Sequence, residues 1–155
     1  MKTYIYALDL SLSSTGLCLF TNDGEFVKSF TIETKTENES QLRLKHIVLS
    51  LKDIVKEYPP EIVVIEQGFS RFNKSTQAIF KVHGIVEYLF SEYEQIKYPA
   101  TTVKKVVGGK GNITKEKLRD KILEDYPDIK FKSLDESDAF AVGLTYFIAR
   151  GIKNA

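Results

Sequence analysis

"YIYALDLSLSSTGLCLF", residues 4–20, decides the architecture. Tyr4, Ile5, Tyr6, Ala7 and Leu8 make an apolar run that reads as a buried strand over residues 4–10, and the run is broken by a carboxylate, Asp9. Small residues follow (Ser11, Ser13, Ser14, Thr15 and Gly16), then a second apolar run from Leu17 to Phe20. Burying an ionised carboxylate without a partner is costly, so Asp9 needs a reason to be there. One reason is ordinary, since Asp often satisfies the amides of a turn.

Working outward, residues 15–21 and 25–33 read as two further strands joined at "NDG", a hairpin signal. The spacing of Leu44, Ile47, Val48, Leu51 and Val55 predicts a helix over residues 38–57, stopped by "PP" at 59–60. "EIVVIE", residues 61–66, is a short apolar strand ending in Glu66. A helix over residues 74–91 and a strand at "QIKYP" complete the order βββ-α-β-α-β, and a last helix follows over residues 134–150. That order predicts an α/β protein, with a mixed sheet of three antiparallel strands followed by parallel ones and helices on both faces.

A chain of 155 residues fits a single domain, here taken as residues 1–155. The formal net charge of +1 gives no sign of a polyanionic partner for the molecule as a whole. Cys18 is the one cysteine, so no internal disulfide forms and a cytoplasmic location is expected. No apolar run approaches the roughly 20 residues that a membrane helix needs. Charge is concentrated locally: residues 97–121 hold eight bases against two acids, a local net charge of +6, around the Gly-rich loop "GGKGN". Lys104, Lys105, Lys110 and Lys115 lie in this segment, and for Lys104 and Lys105 that place favours phosphate contact. A solvated helix face is the ordinary alternative for Lys104 and Lys105. His46 and His83 lie in predicted helices without metal-ligand spacing and read as structural or surface residues.

Asp9 and Glu66 end strands, and Asp135 and Asp138 fall in the first turn of the last helix. Each alone has a structural explanation. For the helix this is a capping box of Ser133 and Glu136, with acidic residues favoured by the helix dipole. Together they suggest more. If Asp9 and Glu66 lie on adjacent strands, and the face shared by Asp135 and Asp138 covers the same edge, four carboxylates converge. Hard oxygen donors of this kind select Mg²⁺ or Mn²⁺, and paired ions serve phosphodiester hydrolysis.

Four motifs carry a resemblance. "ALDLSLSSTG", "VVIEQGFSRFN", "TTVKKVVGGKGNITKEKL" and "DESDAFAVGL" resemble, in order and spacing, the motifs of the RuvC-type Holliday junction resolvases. The resemblance implies a ribonuclease H-like fold and a homodimer acting on branched DNA. It also implies metal-dependent cutting of opposed strands at four-way junctions, leaving 5′-phosphate and 3′-hydroxyl ends. By this resemblance Asp9, Glu66, Asp135 and Asp138 are the catalytic, metal-holding carboxylates, for two Mg²⁺ ions with Mn²⁺ able to substitute. Lys104 (or Lys105, one position on) and Lys115 are phosphate-facing, Lys110 lies with them in the DNA-binding segment, and Phe69 sits where junction bases unstack. Leu10-Ser11 replaces the usual Pro-Gly, Gly68 replaces a bulky apolar residue, and only "GIKNA" follows Arg150, which suggests a minimal, phage-type version.

Two other readings compete. An actin-like or sugar-kinase-like phosphotransferase also opens on Asp-x-Gly-x-x-x-Thr-Gly, but Ser11 replaces the Gly and the chain has room for one such domain. A non-catalytic DNA-binding relative would be expected to lose acids, and all four are present. For assembly, the helix over residues 74–91 shows two apolar stripes, Ala78/Val82/Ile85/Leu89 and Ile79/Val86/Phe90. A helix on a sheet needs one, so Val86 and Phe90 are expected to face a two-fold mate. The ordinary alternative is a helix sandwiched between the sheet and another helix of the same chain.

Overall fold

The computed structural model describes residues 1–67 and 74–154, the side chains of residues 74–76 excepted. Strands β1 (Tyr4–Asp9), β2 (Ser14–Phe20), β3 (Phe26–Glu33), β4 (Pro60–Gln67) and β5 (Glu94–Pro99) form one five-stranded sheet in the order β3-β2-β1-β4-β5. β1 pairs antiparallel with β2, and β2 with β3, whereas β1 pairs parallel with β4, and β4 with β5. The mixed sheet expected from the sequence is therefore present. The hairpin at residues 21–25 closes through Thr21 N donating to Glu25 O at 2.8 Å, with Gly24 at φ 93°, the left-handed conformation that favours glycine.

Strand periodicity builds two cores. Tyr6, Leu8, Leu17, Leu19, Val63 and Ile65 face helices α1 (Ser40–Glu57) and α2 (Lys74–Leu89). Ile5, Ala7, Cys18, Phe20 and Val64 face helices α3 (Ala100–Gly108), α4 (Lys115–Asp125) and α5 (Leu134–Ala149). With both faces covered, β1 is apolar from Tyr4 to Leu8 and β4 from Ile62 to Ile65, so the carboxylates that follow, Asp9 and Glu66, stand out. Asp9 follows the parity of Ile5 and Ala7, and Glu66 that of Val64, so both carboxylates fall on the α5 side.

α5 is buried along nearly its whole length and lies directly on β1 and β2. Two glycines permit this. A Cβ on Gly16 would lie 2.0 Å from the Asp135 carbonyl oxygen, and one on Gly143 would lie 2.3 Å from Phe20 Cε2.

Two helices are added and one expectation is corrected. The basic segment, read from the sequence by its charge and its loop, holds helices α3 and α4. Pro99 occupies the α3 N-cap, and α4 buries only Leu118 and Ile122, so neither shows a long apolar stripe. The second apolar stripe of α2 does not face outward. Val86 and Phe90 are fully buried against Tyr6 and the α1 side of the sheet, and α1 packs beside α2, so the sandwiched arrangement holds. The exposed aromatics of α2 are Phe80 and Tyr88. Among the described residues, no helix is long and apolar enough to cross a membrane.

Candidate active site

The site is assembled at the carboxyl ends of β1 and β4. Leu8 pairs with Ile65 in parallel register, which sets Asp9 beside Glu66, close enough for the two carboxyls to share a hydrogen bond. After Asp9 the chain turns through small polar residues that bond to one another. Ser11 N donates to Thr15 Oγ1 at 3.2 Å, Thr15 Oγ1 donates to Ser11 O at 2.8 Å, and Ser13 N and Ser14 N both reach Ser11 Oγ at 3.3 Å. The hydroxyls therefore fix the loop as well as leaving room in it. Ser14 Oγ donates to Asp135 Oδ2 at 2.5 Å and links this loop to α5.

α5 is capped by Ser133, whose Oγ accepts from Glu136 N at 3.3 Å. The reciprocal half of the expected capping box is displaced by one residue, because Glu136 Oε1 accepts from Lys132 N at 3.1 Å. One turn on, Asp138 Oδ2 pairs with Lys115 Nζ at 3.0 Å. Lys115 is the first residue of α4, which Thr114 caps by accepting from Lys117 N.

A cavity of about 270 Å³ opens here, and Asp9, Glu66, Asp135, Asp138, Lys104 and Lys115 all line it. The expected convergence of four carboxylates is thus present, with two lysines facing them. Burial pushes the Asp9 carboxyl well above the usual carboxylate range, and the neighbouring Glu66 and Asp138 push it further. Burial likewise raises Glu66 and Asp138, while Lys115 pulls Asp138 the other way. Lys115 itself is raised: burial opposes its charge, but Asp138 and the other carboxylates prevail. Carboxyls held this way are short of positive charge.

The donor set is all hard oxygen, which suits Mg²⁺ or Mn²⁺. Among the described residues, no three His, Cys, Asp or Glu groups are gathered closely enough to hold an ion as placed. Asp135 is engaged by Ser14 and Asp138 by Lys115.

Of the basic residues, Lys104 lines the cavity and its charge acts on Glu66 and Asp138. Lys105 is exposed and does not line it. Lys110 lies with Lys117 and Lys121 at a neighbouring shallow hollow between α3 and α4. Phe69 lies outside the described residues. His83 was read from the sequence as structural or surface, yet it lines the cavity, with burial lowering its imidazole. Its place two turns before the helix end carries no motif, so only the folded arrangement reveals it.

A mixed sheet whose central strand ends place two carboxylates beneath an acidic helix start defines a ribonuclease H-like protein. The family model described as crossover junction endodeoxyribonuclease RuvC matches residues 5–146. The chain belongs to this family. Relatives include the RuvC of Geobacter metallireducens, 32% identical over 133 residues, covering 83% of this chain and 80% of that protein. The RuvC of Gluconobacter oxydans is 29% identical over 149 residues, covering 92% of this chain and 88% of that protein. Among solved structures, T. thermophilus RuvC in complex with a Holliday junction substrate shares the fold with a TM-score of 0.79, at 20% identity over 96% of each chain. Fowlpox virus resolvase in complex with junction DNA follows with a TM-score of 0.55, at 16% identity over 94% of this chain and 99% of that one.

Proposed function

We propose that this chain is a nuclease domain that resolves four-way DNA junctions, cutting two opposed strands to leave 5′-phosphate and 3′-hydroxyl ends. The carrying observation is the cavity in which Asp9, Glu66, Asp135 and Asp138 meet at the end of β1 and β4 with Lys104 and Lys115 opposite. The carboxylates would hold Mg²⁺, with Mn²⁺ able to substitute; bound ions supply Lewis acidity to the phosphodiester and an activated water.

The chain's own residues account for the rest. Lys104 and Lys115 supply positive charge for the scissile phosphate. Lys110, Lys117 and Lys121, which outnumber Asp120 and Glu124 in the hollow between α3 and α4, would serve a neighbouring stretch of backbone. Phe69 is assigned to the opened crossover, where it would stack on an exposed base. The working unit is a homodimer, because two identical sites related by a two-fold axis match the symmetry of a four-way junction. Its location is the cytoplasm, where recombining DNA is found.

The test is a synthetic four-way junction incubated with Mg²⁺ or Mn²⁺, with the cut ends mapped and a linear duplex of the same sequence as control. Symmetric nicks in the junction and an intact duplex support the reading. Nucleotide hydrolysis without DNA cutting would favour the phosphotransferase alternative, and junction binding without cutting the non-catalytic one.

A further inference from the structure

Between the two carboxylates of α5 lies a third that has no place in the cavity. Glu136 is fully buried. Its Oε1 accepts from Ser29 Oγ at 2.6 Å and from Lys132 N at 3.1 Å, and its Oε2 accepts from Thr31 Oγ1. Thr31 Oγ1 also lies 2.8 Å from Ser133 Oγ, the α5 cap. Among the described residues Glu136 has no ion-pair partner. Burying a carboxylate without a cation is a cost that an apolar side chain would avoid.

The sheet register shows what this arrangement does. Asp9 on β1 pairs with Gly16 on β2, and Gly16 pairs with Thr31 on β3, so the three form one row across the sheet. The first turn of α5 lies along this row: Glu136 bonds Thr31, the Asp135 carbonyl sits on Gly16, and Asp138 shares the cavity with Asp9. Gly16 allows the close approach, and Ser14 Oγ on Asp135 and Cys18 Sγ on the Glu136 carbonyl each add a single tie from β2 and its loop. Glu136 adds the tie to β3, because its two oxygens take donors from β3 residues two apart on one strand face, and from the chain entering the helix.

We infer that Glu136 is a positioning residue: tied to Ser29 and Thr31, it fixes the first turn of α5 on the sheet and so sets where Asp135 and Asp138 stand relative to Asp9 and Glu66. The link to metal rests on the reading of those four carboxylates given above. The positioning itself does not.

The test compares Glu136→Ala, Thr31→Val and Glu136→Gln with Ile47→Val, a control in the other core. Amide hydrogen exchange reads the helix start. In Glu136→Ala and Thr31→Val, residues 136–138 should exchange about tenfold faster relative to residues 144–148, a loosening confined to the first turn. Mn²⁺ affinity without DNA, read from the electron paramagnetic resonance of the free ion, should fall about tenfold or more in both. Glu136→Gln keeps an acceptor for Lys132 N and Ser29 and can donate to Thr31, so it should restore both readouts, and Ile47→Val should move neither. Thr31→Val loses one donor only and supplies the measurement if Glu136→Ala does not fold. An unchanged exchange ratio overturns the positioning role. A loosened helix start with unchanged Mn²⁺ affinity overturns its link to the carboxylates. Wild-type protein that binds no Mn²⁺ overturns the metal reading alone, and the exchange ratio still decides the position.

Discussion

Lys115 Nζ lies 3.0 Å from Asp138 Oδ2, and through that contact the start of α4 is tied to the start of α5 across the mouth of the cavity. Lys115 is half exposed, so the pair adds little to stability by itself. Its effect is on the buried carboxylates, which it partly neutralises.

Lys115→Ala should therefore destabilise the metal-free protein modestly and make it more responsive to cations. The expected result is a lower melting temperature in EDTA, and a larger rise on adding Mg²⁺ than wild type shows. An equal rise in both proteins, measured by thermal melts across a Mg²⁺ series, would mean that Lys115 does not compensate the carboxylates.

Asp9→Asn should abolish junction cutting and leave junction binding intact, because affinity comes mainly from phosphate contacts. Glu66→Gln and Asp138→Asn should do the same. Asp9→Asn should also stabilise the protein in EDTA. The raised carboxyls keep protons in the folded state that the unfolded chain releases, so their contribution is lost as pH rises from the ordinary carboxylate range toward the folded-state values. One pKa unit corresponds to about 1.4 kcal/mol, and about 1 kcal/mol moves the melting temperature of a chain this size by about 2–4 °C. The difference between variant and wild type should grow with pH over that window. A difference that shrinks with rising pH contradicts the assignment.

The carboxylates were legible because they interrupt apolar runs. Asp9 and Glu66 follow the apolar runs Tyr4–Leu8 and Ile62–Ile65, and Asp135 and Asp138 lie in the acidic first turn of a helix that is mostly apolar beyond it. The meander was legible from the turn at Gly24. What pairs across the sheet was not. Nothing in the local sequence shows that Gly16 lies under Asp135, or that Ser29 and Thr31 receive Glu136, because these contacts join residues about a hundred positions apart. The two stripes of α2 misled for a related reason. A helix wedged between a sheet and a neighbouring helix buries more than one stripe, and periodicity does not say which wall is the sheet.

Gly16→Ala tests the closest of these contacts. Its Cβ would fall 2.0 Å from a backbone oxygen, which no side-chain rotation relieves. The expected cost is at least about 3 kcal/mol, at the upper end for overpacking, read from urea unfolding at constant m-value. A loss below about 1 kcal/mol would show that α5 can lift off β2 freely.

Lys104→Ala and Lys105→Ala separate a cavity-facing lysine from an exposed neighbour. Lys104→Ala should slow cutting and flatten the log–log salt dependence of junction binding by about 1. Lys105→Ala should leave the cutting rate within about twofold, as exposed surface substitutions usually do. A reversal of the two would move the phosphate contact one position along α3.

The dimer is tested on the exposed side of α2. Phe80 and Tyr88 are 52% and 76% exposed, stand eight residues apart on one helix face, and flank Gly84, where an added Cβ would meet nothing within 4 Å. A mate could approach closely at Gly84 while the two aromatics cover its flanks. Phe80→Glu and Tyr88→Glu should therefore shift the protein toward monomer in sedimentation. They should also turn paired cutting of an extruded cruciform plasmid, which gives linear product directly, into single nicks that give relaxed circles first. Val86→Glu and Phe90→Glu are different in kind, since they place a charge in the core beside Tyr6 and should cost folding. Wild-type protein that sediments as a monomer at micromolar concentration, with and without junction DNA, would refute the dimer. Wild-type-like sedimentation and paired cutting in both Phe80→Glu and Tyr88→Glu would place the interface elsewhere.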